Sequence, residues 1–140
     1  MLHINRATVL GYAGGDAKRR TMQTRVPGSG EDMVSFSIAT TRRWKDKEGN
    51  PGEATEWHWV AVFGASVEPA AKMVRKGALV LVEGRLRTRA FKDREGNERS
   101  VTEIVVAGPQ SMVNVLSPKP ASERPEDSGT AGTEGGDEAA

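Results

Sequence analysis

The sequence predicts an all-β fold, a five-stranded barrel with one helix between its third and fourth strands, followed by a disordered tail. Three observations carry this expectation. Apolar residues alternate with polar ones in several short runs, one run alone has helical character, and composition changes abruptly near Leu116. Residues 6–12 (Arg6-Ala7-Thr8-Val9-Leu10-Gly11-Tyr12) make the first strand. Residues 33–41 make the second, with Val34, Phe36 and Ile38 apolar and Ser35 and Ser37 polar. Residues 55–63 make the third. The helix spans 65–76, with Ser66 as its N-cap, Pro69 in the first turn, where no intrahelical N–H is required, and Gly77 as its stop. Residues 78–91 form a long fourth strand in which Gly84 permits a bend. A turn at 93–97 leads to the last strand, 98–107. Three strands, a helix and two strands is the order of an OB-type barrel. Residues 17–32 and 43–54 are expected as long loops, which in a compact domain tend to be functional.

The 140 residues accommodate one domain, 1–116, and a tail, 117–140. The tail is built of Pro, Ser, Gly, Thr, Ala and Glu, with no aromatic and no β-branched aliphatic residue, so it cannot bury enough surface to offset its chain entropy. The net charge of +1 hides an asymmetry: 18 basic against 13 acidic residues in 1–116, net +5, and 2 against 6 in 117–140, net −4. A basic body suits an anionic partner, although a solvated surface with a solubilising tail has the same balance. The absence of Cys excludes disulfides and thiolate metal sites, and with only His3 and His58 a zinc site would need carboxylates. No cofactor or metal is expected. Neither a signal peptide nor the roughly 20 apolar residues of a membrane helix is visible, so an intracellular protein without membrane contact is expected.

Four of the seven aromatic residues lie among cations. Trp44 stands in Thr41-Arg42-Arg43-Trp44-Lys45-Asp46-Lys47, Trp57 and Trp59 in Glu56-Trp57-His58-Trp59, and Phe91 closes Arg85-Leu86-Arg87-Thr88-Arg89-Ala90-Phe91. Side chains alternate across a strand, so Trp57, Trp59, Ala61 and Phe63 share one face and Val60 and Val62 the other. The valines fit the barrel interior, which leaves the rings outside; a core or subunit-interface role for the ring face is the competing reading. Arg85, Arg87, Arg89 and Phe91 likewise share a parity, although a charge-protected edge would show the same pattern. Rings beside cations offer stacking platforms next to phosphate neutralisers, which is what an unpaired nucleic-acid strand requires. The expected contacts are Trp44, Trp57, Trp59, Phe63 and Phe91 to bases and Arg42, Arg43, Lys45, Arg85, Arg87 and Arg89 to phosphates. Gly11-Tyr12-Ala13-Gly14-Gly15-Asp16-Ala17-Lys18 lacks the Gly-Lys-Ser/Thr ending of a phosphate loop and reads as turn and bulge glycines. His58 reads as packed or at an interface. A nuclease would need a carboxylate cluster, and Glu56, Glu83 and Glu103 fall in three different strands; a protein-interaction module would use the same rings as a partner surface.

These residues resemble the bacterial single-stranded DNA-binding protein family. The resemblance spans nearly all of 1–116 and is carried by Asn5-Arg6-Ala7-Thr8-Val9-Leu10-Gly11, Phe36-Ser37-Ile38-Ala39-Thr40-Thr41, Thr55-Glu56-Trp57-His58, Val62-Phe63-Gly64, Val74-Arg75-Lys76-Gly77 and Val82-Glu83-Gly84-Arg85-Leu86-Arg87-Thr88-Arg89, in order and at the family's spacing. It implies one OB fold per subunit, a homotetramer around which the strand wraps, and a nucleoid-associated role in replication, recombination and repair without catalysis. Trp44, Trp57 and Phe63 match the family's stacking aromatics. Phe91 stands where members often carry Trp, and Trp59 where basic residues are common. The family's tail closes with acidic residues, Pro and Phe, whereas this chain ends Glu134-Gly135-Gly136-Asp137-Glu138-Ala139-Ala140. Without an aromatic anchor, weak recruitment of tail-dependent partners is expected, as in a specialised second copy or a plasmid- or phage-borne one.

Overall fold

The computed structural model describes residues 2–23 and 30–117. Apart from Ser117, the expected disordered tail lies outside the described residues. Among the described residues, seven strands and one α-helix follow in the order β1 (Ala7–Ala13), β2 (Lys18–Gln23), β3 (Gly30–Lys45), β4 (Pro51–Phe63), α1 (Val67–Met73), β5 (Leu79–Lys92), β6 (Glu98–Val106) and β7 (Met112–Ser117). Five of them close a barrel. β3 pairs with β1 and β4, β4 runs parallel to β6, β6 pairs with β5, and β5 returns to β1. This is the OB-type barrel the sequence predicts, with α1 between the third and fourth barrel strands.

The expectation of five strands needs two additions. β2 pairs with the first half of β3, from Lys18 opposite Ser35 to Gln23 opposite Gly30, and β7 pairs with the first half of β5. The described residues of 17–32 and those of 43–54 are therefore mostly strand rather than the long loops expected. The second of these is mostly a continued β3–β4 ladder, which runs out to Lys45 opposite Pro51.

Val34, Phe36 and Ile38 of β3, Val60 and Val62 of β4, Val80 and Val82 of β5, and Ile104 and Val106 of β6 fill the interior, each 4% exposed or less. Each buried side chain of this kind contributes about 1.5–3 kcal/mol. Val67 and Ala70 of α1, with Val74 just past its end, add to this core. The helix is shorter than 65–76: a 3₁₀ turn at Gly64–Ser66 precedes it, and Val74 is already extended. Ser66 occupies the N-cap position but makes no side-chain capping bond. Gly77, at φ +87°, turns the chain back so that its N–H donates to the Ala13 carbonyl. Arg19 on β2 pairs with both Asp32 on β3 and Glu68 on α1, at 2.6 and 2.5 Å, tying the added strand to the helix. Gly84 lets β5 pass close to β6, where a Cβ would run into the Val105 carbonyl oxygen. Among the described residues no helix is long and apolar enough to cross a membrane.

Beyond the barrel, β3–β4 and β5–β6 project as two-stranded arms. Their tips carry the same sequence pattern, Lys45-Asp46-Lys47-Glu48-Gly49-Asn50 and Lys92-Asp93-Arg94-Glu95-Gly96-Asn97. The turns match bond for bond. Asp46 Oδ1 accepts from the Glu48 and Asn50 amides at 2.9 and 2.8 Å, and Asp93 Oδ1 from those of Glu95 and Asn97 at 2.9 Å each. Gly49 and Gly96 both sit at φ +83°, where a side chain would be strained. The Asn50 amide, helped by its side chain and the amides of Glu48 and Gly49, holds Asp46 below the ordinary carboxylate range. Arg99 and then the Asn97 amide do the same for Asp93.

Candidate nucleic-acid interface

The register settles which side chains share a face. On β3 and β4 the even-numbered residues through Val34 and Val62 point into the barrel, so the odd-numbered ones point out. The same holds for β5 and β6, whose interior residues are Val80, Val82, Ile104 and Val106. Strand alternation and pairing thus place Lys18, Arg20, Met33, Ser35, Trp57, Trp59, Phe63, Val101, Glu103, Arg87, Arg89 and Phe91 on one continuous outer face. An open groove of about 580 Å³ crosses it, floored by Trp59 and Val101 and walled by Arg20 on one side and Arg87, Arg89 and Phe91 on the other. A second depression, bounded by Gly15, Lys18 and Ser37, shares Arg20, Ser35 and Trp59 with it, so the path continues past β2.

Trp57 and Trp59 are 56% and 52% exposed, and Phe91 is 40% exposed. Exposed rings of this size normally lie in a core, so their position marks a surface that takes a flat apolar partner. Trp57 packs against Gly14, which leaves room for it: a Cβ there would stand 2.5 Å from Trp57 Cζ3. The Arg89 guanidinium lies over the Phe91 ring at 5.9 Å.

Phe63 departs from the open-face expectation. It shares the parity of Trp57 and Trp59, yet it is only 9% exposed, clustered with Met33 and Ala61 and covered by the Arg87 guanidinium at 5.7 Å. Parity determines the side of a sheet; what neighbouring strands lay across that side depends on tertiary packing. Trp44 lies elsewhere. It has the parity of Ile38, so it lies on the opposite side of the β3–β4 ribbon from Trp57 and Trp59, out on the arm where no core is left to bury it. It is 40% exposed, rests on Gly52, and carries Arg42 over its ring at 4.6 Å. Arg43 faces Glu53 at 3.5 Å, and with Lys45 it lines a shallow depression beside Trp44.

Arg87 and Arg89 are brought together by one carboxylate, Glu103, at 2.5 and 3.0 Å. Arg85, of the same parity, is not part of that group. It lies next to Gly84, in a separate pocket with Asn5, Arg6, Gln110 and Ser111. Lys18 and Arg20 were not expected as contacts. Their signal was the basic run Lys18-Arg19-Arg20, but only the pairing of β2 with β3 reveals which of the three reach the groove. His58 Nε2 lies 2.9 Å from Thr40 Oγ1, half-buried in the barrel end. Among the described residues no group of three His, Asp or Glu side chains could hold a metal ion.

A barrel of this topology, with rings and cations interleaved on an open sheet, defines an OB-fold module suited to unpaired nucleic acid. Residues 4–113 match the Single-strand binding protein family, and the chain belongs to it. A curated relative, Single-stranded DNA-binding protein 1 of Xylella fastidiosa (strain 9a5c), is 41% identical over 113 residues, which cover 80% of this chain and 79% of that one. Among solved structures, the Plasmodium falciparum SSB complex with ssDNA superposes with a TM-score of 0.71 at 24% identity, covering 84% of this chain and 98% of that one. That likeness supports the fold.

Proposed function

We propose that this protein binds single-stranded DNA without regard to sequence and protects it during replication, recombination and repair. The observation that carries the reading is the outer face on which Trp57, Trp59 and Phe91 alternate with Lys18, Arg20, Arg87 and Arg89. Every base has a π-face, so stacking on these rings is worth roughly 1–3 kcal/mol per base whatever the sequence. Trp44, with Arg42, Arg43 and Lys45, forms a second platform on the other side of the arm, so a strand using both platforms passes around the β3–β4 ribbon. Phe63 acts as a floor beneath Arg87, and Arg85 contacts the backbone away from the groove. No step of this function needs catalysis, a metal or a cofactor.

The working form in this reading is a homotetramer in the cytoplasm, associated with the nucleoid. Leu10 and Tyr12 on β1, 50% and 54% exposed, and Met112 on β7 do not line the groove and are apolar enough to meet another subunit.

The test is a titration with oligo(dT) of roughly 70 nucleotides, several times the 4–16 nucleotides of one OB-fold site, followed by Trp fluorescence at low and high salt. Duplex DNA of the same length is the control. Strong quenching by the single strand, little by duplex, and affinity that falls with salt are expected. Equal or absent responses would assign the ring face to a protein partner instead.

A further inference from the structure

Glu103 is 5% exposed and sits in the middle of the candidate interface, opposite Trp59 on one neighbouring strand and Arg87 on the other. Its outward-facing neighbours on β6, Val101 and Val105, are apolar. A buried carboxylate there is costly unless it is paired. The pairing is concentrated on one oxygen: Oε2 accepts from Arg87 Nη2 at 2.5 Å, Arg87 Nε at 3.2 Å and Arg89 Nε at 3.0 Å. The same two guanidiniums lie over Phe63 and Phe91. Two residues apart on one face, they would repel each other without a shared counter-charge.

We propose that Glu103 is a positioning residue that binds Arg87 and Arg89 into one cationic unit of net charge +1, so that this part of the groove takes up one strand phosphate rather than two. The inference rests on the single-strand reading of the interface. A phosphate reaching either arginine shares it with Glu103. The carboxylate therefore keeps both guanidiniums on their rings and holds down the charge that the strand has to neutralise.

Each phosphate contact on a single strand contributes about −0.7 to the slope of log Kobs against log salt, so the count can be measured. The experiment compares wild type, Glu103→Gln, Arg89→Gln and the double variant on oligo(dT), with thermal melts in parallel. Glu103→Gln keeps an acceptor oxygen and removes the charge, and it should steepen the slope by about 0.7 and tighten binding at low salt. Arg89→Gln should flatten the slope by about 0.7, and the double variant should return it to the wild-type value. A carboxylate that merely supports the fold predicts a Glu103→Gln slope equal to or flatter than wild type, and a double variant no better than Arg89→Gln; either result overturns the proposal. If Glu103→Gln does not fold, the comparison of Arg89→Gln with the double variant, which carries no surplus charge, decides it. A wild-type protein without salt-dependent binding would remove the interface reading itself, whereas normal wild-type binding with unchanged variant slopes would remove this inference alone.

Discussion

Trp59→Ala isolates the contribution of one ring to strand binding. A Trp side chain presents roughly 250 Å², and Trp59 is 52% exposed, so about 130 Å² faces solvent. A base stacked on one side of the ring covers about half of that. At about 25 cal/mol per Å² the contact is worth ~1.6 kcal/mol, or roughly 15-fold in Kd. The figure lies within the range of about 1–3 kcal/mol measured for base–aromatic stacks. The same arithmetic for Phe63, at 9% exposure, leaves a few tenths of a kcal/mol at most. The assay is fluorescence anisotropy of a labelled oligo(dT) of about 12 nucleotides at fixed salt, repeated on a mixed sequence of equal length. Expected are a roughly 15-fold weaker Kd on both strands and an unchanged thermal midpoint. A Kd within about twofold of wild type, in a folded variant, would refute both the placement of the ring in the strand's path and the area argument.

Phe63→Ala should act on stability, because its ring is buried against Met33 and Ala61: a loss of about 3–5 kcal/mol in urea unfolding is expected, and a loss under about 1 kcal/mol would contradict a packed role. Gly14→Ala places a methyl 2.5 Å from Trp57 Cζ3 and 2.8 Å from Ser37 Oγ, so Trp57 should tilt, shifting its emission and weakening binding; unchanged emission and Kd would mean that the ring has room to move without cost. The two arm tips should respond to acid together. Asp46 and Asp93 are depressed below the ordinary value of 3.8, so the stabilisation they provide is complete above that pH and is lost as pH falls through their lowered values. Amide NMR shifts of Asn50 and Asn97 should titrate with midpoints below 3.8, and midpoints at or above it would show that the turn bonds do not favour the charged form.

Much of the barrel was legible because alternation and burial coincide in its strands. Val34, Phe36 and Ile38, or Val60 and Val62, announce a buried face wherever they are placed. β2 was not legible because Lys18-Arg19-Arg20-Thr21 has no apolar alternation. It is a strand because β3 offers it a free edge and because Arg19 finds Asp32 and Glu68. β7 is not legible for a different reason. Its Val113 and Val115 do alternate, but in a run of six residues beside a Pro- and Ser-rich segment that outweighs them. The β3–β4 arm reads as a loop because its strands leave the core, and period-two patterning fades once neither face is buried. The repeated Asp-x-Glu-Gly-Asn of the two tips was present in the sequence as a turn signal at both positions.

By itself the sequence determined the kind of surface: rings among cations, a basic body with an acidic tail, and strands whose parity set Trp57 and Trp59 apart from the valines. These are local properties, written in residue type and spacing of two. Tertiary structure alone decided which of those residues meet. Phe63 shares the parity of the tryptophans and is covered, Trp44 belongs to the other side of the ribbon, Arg85 lines a different pocket from Arg87, and Lys18 and Arg20 join the groove from a strand without pattern. Glu103, one acid among nineteen in the sequence, becomes the centre of the site because a parallel pairing sets it beside Trp59 and an antiparallel one beside Arg87. The physical reason is that contacts between strands depend on register and closure, which arise from the pairing of segments far apart in the chain.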